Sequence, residues 1–342
     1  MSIFSRKEYD FIAIGDTVTD AFIRLNIASA HVELDHGSGR EICMRFGDKI
    51  PYDEVHVVAG VGNAANAAVS ASRLGLKAAF VSHVGDDEQG KEILDVFKKE
   101  GVAGDFIKIH KGIPTNYHYV LWYKDERTIL IKHQQYPYKL PDIGEPKWIY
   151  FSSLGENSLE FHEEIADYLE AHPDVKLAFQ PGTFQMKFGK EKLKRIYART
   201  DVFFCNKEEA QRILGADDGD IKNLLEGLSA LGPKIVAITD GVKGAYVFDT
   251  STALGEGGKM YFMPLYPDPK PPLQRTGAGD AFSSTVTAAL GLGKNIQEAL
   301  RWGPVNSMSV VQGIGARAGL LSRERLEEYL VKAPVDYSPK EI

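Results

Sequence analysis

The residues best equipped for chemistry are Thr276-Gly-Ala-Gly-Asp-Ala-Phe282, a turn of small side chains that opens into an apolar helical pattern from about Ala278 to Leu290. Glycine lets several backbone N–H groups converge on one ligand, and the unpaired N–H groups of a helix's first turn add partial positive charge there. The spacing therefore predicts an anion site at Gly277, Ala278, Gly279 and Asp280, with phosphate or a transferring phosphoryl group as the natural occupant. A carboxylate repels phosphate, so Asp280 points to a separate role, that of accepting the proton of an incoming hydroxyl. The same residues also describe an ordinary helix N-terminus with an acid in its first turn, and the motif alone leaves both readings open.

Other segments offer binding groups with equally plain structural readings. Asn206-Lys-Glu-Glu209 follows the apolar run Val202-Phe-Phe-Cys205 and precedes a helical pattern. Asn206 as N-cap with Glu209 reaching back is a capping box. Thr239-Asp-Gly241 ends a strand-like run, where nucleotides bind in α/β sheets, or it is a tight turn through Gly241. Gly62, Ala64 and Ala65 would let a ligand approach a helix start where Asn66 presents an amide, or they satisfy close helix packing. Asp20, just past the first strand, could accept two hydroxyl hydrogen bonds from a rigid diol.

These residues must be positioned by an α/β sheet. Strand-like runs at 11–14, 78–84, 148–152, 175–180, 201–205, 234–239 and 245–248 alternate with helical patterns at 62–74, 157–171, 187–198, 207–214 and 219–231. Helices over 278–291, 295–312 and 322–332 close the chain. This rhythm predicts a mostly parallel central sheet with helices on both faces, within one domain over 1–342. Segments 21–58 and 115–136 break it with strands that lack intervening helices, including Glu41-Ile-Cys-Met-Arg-Phe46 and the aromatic run at 116–123. They are expected to pair into a small projecting β-sheet, a lid over the site or a dimer interface. A further hairpin and loop are expected over 255–275.

A net charge of −7 gives no general attraction to nucleic acid or an anionic membrane, so neither is expected as a partner. Cys43 and Cys205 are too few for a disulfide framework. The first residues lack the apolar core of a signal peptide, and no apolar run is long enough for a membrane span, so a cytoplasmic location is expected. The first strand leads into Gly15-Asp-Thr-Val-Thr-Asp20 without a Gly-x-Gly-x-x-Gly turn, which sets aside a dinucleotide-dependent oxidoreductase.

Thr276-Gly-Ala-Gly-Asp-Ala-Phe282 resembles the C-terminal signature of the PfkB/ribokinase family of carbohydrate and nucleoside kinases. Other segments resemble that family in order: Ile14-Gly15 with Asp20, Gly62-Asn-Ala-Ala-Asn66, Val84-Gly-Asp-Asp-Glu-Gln-Gly90, Glu126-Arg-Thr-Ile-Leu130, Asn206-Lys-Glu-Glu209, and Thr239-Asp-Gly241 with Lys243-Gly244. The resemblance spans roughly residues 10 to 332 and implies a ribokinase-like fold. It implies an ATP-dependent phosphotransferase in which Asp280 is the general base and Gly277–Asp280 the anion hole. Asp20, Gly62 and Asn66 would contact substrate, while Asn206, Thr239, Asp240, Gly241, Gly244 and, by a looser match, Asn306 would face the nucleotide. Glu209 would organise Mg²⁺ through water.

Three positions depart from the family pattern. Gln274 stands where the signature begins with an aspartate in the region that binds a monovalent cation, so weak or absent potassium activation is expected. Val61 replaces a glycine and Gln180 stands where many relatives have an aspartate, which leaves the substrate open. A small sugar is the first expectation. A nucleoside stacked on Tyr117, Tyr119, Trp122 or Tyr136 is the second, and a phosphorylated sugar met by Arg45, Lys49, Arg127 or Lys132 the third. A catalytically silent nucleotide- or metabolite-binding regulator is the reading from another class.

Overall fold

Short β-branched and aromatic runs build one large sheet in the computed structural model, which describes residues 8–28, 30–35, 39–124, 126–251 and 257–342. Strand β1 (Phe11–Ile14) is buried on both faces: Phe11 and Ala13 enter one core, Ile12 and Ile14 the other. The chain leaves the sheet at Gly15, runs out in β2 (Val18–Leu25), folds through β3 (Ala30–Asp35) and β4 (Gly39–Met44), and returns in β5 (Tyr52–Val61). Helix α1 (Asn63–Arg73), β6 (Ala78–Gly85), α2 (Glu88–Lys99) and β7 (Ile107–His110) follow. A second departure comprises β8 (Tyr117–Tyr123) and β9 (Glu126–Leu130).

The chain then builds the other half of the sheet with β10 (Trp148–Phe151), α3 (Leu159–Ala171), β11 (Lys176–Phe179), α4 (Thr183–Phe188) and α5 (Lys194–Arg199). Next come β12 (Val202–Asn206), α6 (Lys207–Leu214), α7 (Ile221–Ser229) and β13 (Ile235–Thr239). Strands β14 (Ala245–Asp249) and β15 (Lys259–Met263) lead to α8 (Ala278–Gly291), α9 (Ile296–Val310), α10 (Arg323–Val331) and the short β16 (Lys340–Glu341).

Spatially the strands run β7-β6-β1-β10-β11-β12-β13 in parallel, extended by antiparallel β14, β15 and β16. Parallel register aligns carboxyl ends: Ile14 lies beside Phe151 and Val81, and Asn206 beside Thr239. The turns after these strands therefore share one edge, the usual place for a ligand. The two departures pair into a smaller sheet of order β5-β2-β8-β9, with Asp20 opposite both Val58 and His118. β3 and β4 stay apart from it as a separate hairpin.

Several expectations need adjustment. The helix expected over 187–198 is two short helices, because Gly189 ends α4 in a left-handed conformation (φ 83°). Helix α2 was read only as a strand and turn ending at Gly90, although Ile93 and Phe97 already repeat at helical spacing, and Asp87 caps it by accepting from the Gly90 N–H at 2.9 Å. Strands β7 and β16 were not anticipated. Part of the hairpin expected over 255–275 lies outside the described residues, and β15 is its observed strand.

Small side chains bring α1, α8 and α9 close together over the face of the sheet that leads to Asp280. Helix α1 buries Ala64, Ala65, Ala67, Ala68 and Ala71, and α8 buries Ala281, Ala288 and Ala289. A Cβ added to Gly303 of α9 would stand 2.7 Å from the Phe282 ring of α8. Gly303→Ala is therefore expected to lower unfolding stability by about 1–3 kcal/mol through overpacking, measured by urea denaturation; a neutral or stabilising change would show that these helices can part freely.

Candidate active site

The carboxyl ends of β1, β11, β12 and β13, the small sheet and the start of α8 enclose a cavity of about 1050 Å³. At its centre lies Asp280, the third residue of α8. Gly277 precedes that helix at φ 81°, and a Cβ there would meet Ala316 at 2.4 Å, so the turn requires glycine on two grounds. The first helical bond runs from Ala281 N–H to Gly277 C=O at 2.8 Å. The N–H groups of Gly279 and Asp280 make no hydrogen bond among the described residues and border the cavity. They leave the start of α8 open in the manner of helix N-termini that bind anions.

Two amides hold the Asp280 carboxylate. Asn66 Nδ2 donates to Oδ2 at 2.9 Å, and Gln180 Nε2 donates to Oδ1 at 3.1 Å. The Gln180 amide is oriented in turn: its Oε1 accepts from the Tyr150 hydroxyl and from Ser283 Oγ, the latter at 3.2 Å, which leaves only its NH₂ to face Asp280. Burial pushes the Asp280 pKa up; the Asn66 and Gln180 bonds and the Arg127 charge pull it down, while Asp20 adds to the rise, and the net direction is upward. Enclosed in this way, Asp280 is more basic than an ordinary aspartate. The importance of Gln180 is invisible in sequence because only folding brings the end of β11 to the start of α8.

On one side of Asp280 the cavity is rich in hydrogen-bond acceptors. Asp20 Oδ1 lies 3.5 Å from His118 Nδ1, and neither Asp20 Oδ1, His118 Nε2 nor Asn66 Oδ1 has a hydrogen-bond partner among the described residues although all three atoms are buried. Gly62 lines the same end at φ 116°, where a Cβ would come within 2.9 Å of the Asp16 carbonyl. Sequence reasoning missed Asp16, His118 and His133. The Asp16 carboxylate accepts from His133 Nδ1 at 2.7 Å and from the Tyr138 hydroxyl at 2.9 Å. His118 could have been found by alternation, since it faces the same side of the small sheet as Asp20.

On the other side lie Asn206, Thr239, Asp240, Gly241 and Gly244. Asn206 and Glu209 form the expected capping box, with Asn206 Oδ1 accepting from Glu209 N–H and Glu209 Oε2 from Asn206 N–H, both at 2.8 Å. Both residues also border the cavity, so the cap and a binding role are compatible. Burial pushes the Glu209 pKa up. Asp240 pairs with Lys243 at 3.3 Å, and Gly244 (φ 101°) has room for no Cβ, since the Met263 carbonyl would lie 2.5 Å from it.

Asn306 is not brought to the cavity, contrary to expectation. Its side chain is fully buried, donating to Thr285 Oγ1 at 2.8 Å and accepting from Leu321 N–H at 2.9 Å, so its amide joins α9 to α8 and to the chain before α10. Gln274 is buried as well: Nε2 donates to the Gly313 carbonyl at 3.0 Å and Oε1 accepts from Thr276 N–H at 3.2 Å. This neutral amide is bonded at both ends and ties the loop before Gly277 directly to residue 313.

The pfkB family carbohydrate kinase model matches residues 25–323. The ribokinase of Bacillus subtilis is 28% identical over 276 residues, covering 79% of this chain and 87% of its own. A cytidine kinase of Thermococcus kodakarensis is 26% identical over 264 residues, covering 74% and 88%. Among solved structures, Arabidopsis thaliana ribokinase complexed with ribose and ATP superposes with a TM-score of 0.75 at 19% identity, covering 95% of this chain and 99% of that one.

The Asp280 contacts predict the effect of removing one donor. In Gln180→Leu the bond that lowers the Asp280 pKa is lost while burial persists, so that pKa should rise further. Titration of the labelled Asp280 carboxyl carbon by NMR reads it, and a fall would contradict the assigned orientation of the amide.

Proposed function

This chain belongs to the pfkB family of carbohydrate kinases, and from that premise we propose that it moves the γ-phosphate of ATP to an alcohol group of a small sugar at Asp280. The observation that supports this best is the Asp280 carboxylate, fixed by Asn66 and Gln180 beside the unpaired N–H groups at the start of α8. A sugar hydroxyl placed against Asp280 gives it a proton as its oxygen bonds to the γ-phosphorus, and the bond from that phosphorus to the β-phosphate oxygen breaks to release ADP. The N–H groups from Gly277 to Asp280 stabilise the charge on the transferred group. Asp20, Gly62 and Asn66 hold the sugar, and Asn206, Thr239, Asp240, Gly241 and Gly244 face the nucleotide. The raised pKa strengthens the base but sets a limit: as pH falls through it, Asp280 is protonated and the rate declines.

Glu208, Glu209 and Asp240 offer hard oxygen donors along the nucleotide side, a set that suits Mg²⁺ bound largely through water, with Glu209 as the organising carboxylate. When bound there, Mg²⁺ supplies charge neutralisation to the ATP oxygens.

A sugar is favoured over a nucleoside because the aromatic candidates for base stacking do not line the cavity. Tyr136 is buried, with its hydroxyl bonded to the Pro114 carbonyl at 2.8 Å, and Trp122 is buried, with its N–H bonded to the Lys124 carbonyl at 2.7 Å. Tyr119 is on the face of β8 opposite His118. Of Arg45, Lys49, Arg127 and Lys132, only Arg127 borders the cavity, which weighs against a phosphorylated sugar. The acceptors Asp20 Oδ1 and Asn66 Oδ1 suit the several hydroxyl donors of a neutral sugar.

In this reading the small sheet acts as a lid that keeps water from the phosphoryl group. Its outer face, with Val55, Val57, Tyr119 and Leu130 exposed, suits pairing with a second copy. Residues 1–342 act as one kinase domain, and the cytoplasm, where ATP is supplied, is the fitting location. Among the described residues no helix is long and apolar enough to cross a membrane.

ADP release with Mg-ATP over a panel of ribose, fructose, 2-keto-3-deoxygluconate, sugar phosphates and nucleosides tests the proposal. Turnover on a neutral sugar should fall by roughly 10²–10⁴ in Asp280→Asn, with ATP affinity near that of the wild type; equal loss of ATP binding would make Asp280 structural. Because the Gln274 amide occupies the loop, replacing potassium by a large organic cation should change the rate less than about tenfold, and a larger drop would show a functional cation site.

A further inference from the structure

The hairpin β3–β4 carries polar side chains that the kinase site does not use. Its antiparallel register sets His31 opposite Cys43 and Glu33 opposite Glu41. Residues two apart on a strand share a face, so these four occupy the corners of one patch. Ligand atoms of His31, Glu33 and Cys43 lie within 4.8 Å of one another, and His31 Nε2 is 2.8 Å from Glu33 Oε1. The extensive contacts of β3 and β4 are with each other. An isolated two-stranded hairpin is marginal in water, so packing on the body of the protein contributes little to holding these strands together.

We propose that His31, Glu33 and Cys43, with Glu41 beside them, form a zinc site that clips β3 to β4. Imidazole, carboxylate and thiolate together suit a tetrahedral ion of intermediate softness, whereas Mg²⁺ avoids sulfur. Donors around zinc stand about 3.3–3.8 Å apart, a spacing that side-chain rotation reaches from the observed cluster. On binding, the Cys43 thiol releases its proton to solvent, and neutral His31 carries its one ring proton on Nδ1, so that Nε2 is free to bind the ion in place of its contact with Glu33. Because the hairpin joins β2 to β5, the clip braces the connection between the strand bearing Asp20 and the strand that leads to Gly62.

The test uses the full chain, stripped with a chelator and kept reduced with a phosphine, then titrated with Zn²⁺ against a chromophoric competitor and separately with Co²⁺. One equivalent should bind with a Kd of about 1 µM or tighter, and the Co²⁺ form should show a near-ultraviolet thiolate charge-transfer band. Cys43→Ser should abolish that band, and Cys43→Ser, His31→Ala and Glu33→Gln should each weaken zinc binding about tenfold or more, with unchanged far-ultraviolet circular dichroism as the folding control. No stoichiometric binding at micromolar zinc, or binding that survives in Cys43→Ser and His31→Ala, overturns the proposal. These readouts are independent of phosphoryl transfer.

Discussion

Two amide hydrogen bonds on one enclosed carboxylate are the contacts around which the cavity is organised. Asp280 sits where burial disfavours its charge, and Asn66 and Gln180 return part of that cost without neutralising it. The result is an aspartate more basic than an ordinary one, held by two amide donors. Gln180 cannot turn because Tyr150 and Ser283 occupy its oxygen. Asn66 stands on a fully buried turn of α1, and its Oδ1 has no hydrogen-bond partner among the described residues.

That arrangement constrains much of the surrounding fold. Asn66 reaches Asp280 only because α1 and α8 pack through alanines, and α8 keeps its place because α9 presents Gly303 to Phe282. Asn306 belongs to this packing: its amide satisfies a buried hydroxyl and a buried backbone N–H between α8, α9 and residue 321. Gln274 plays a comparable part before the anion-binding turn, tying Thr276 to Gly313 with one uncharged side chain. Polar groups buried at helix contacts thus hold the reacting end of α8 without adding charge to it.

The small sheet contributes differently. Its inner face adds His118 beside Asp20, and the chain following β9 adds His133, which with Tyr138 secures Asp16. Carboxylates line both ends of the cavity, Asp16 and Asp20 at one and Glu208, Glu209 and Asp240 at the other, and the cations Arg127, Lys243 and Arg275 border it as well. Asp20 and Asn66 bring buried, unpartnered oxygens to one end of that cavity, and among the described residues Tyr117, Tyr119, Trp122 and Tyr136 do not line it.

Local patterns were enough to read the α/β rhythm, the edge where ligands bind, the Thr276–Phe282 turn and the Asn206–Glu209 cap, because each depends on neighbours within a few residues. Helix α2 was also legible in the spacing of Ile93 and Phe97, and the break at Gly189 in the residue itself. The sequence by itself determined that a small-residue turn with an acid would open a buried helix and that two stretches would leave the sheet as strands. Only tertiary structure decided that Gln180 would orient Asp280, that His118 would join Asp20, that Asn306 would pack instead of binding, and that Tyr136 and Trp122 would be buried away from the ligand. The first two depend on which strand ends and helix faces meet across separations of 98 and 100 residues (His118 from Asp20, Gln180 from Asp280), and the others on which way a side chain packs once its element is placed, a geometry that local spacing does not encode.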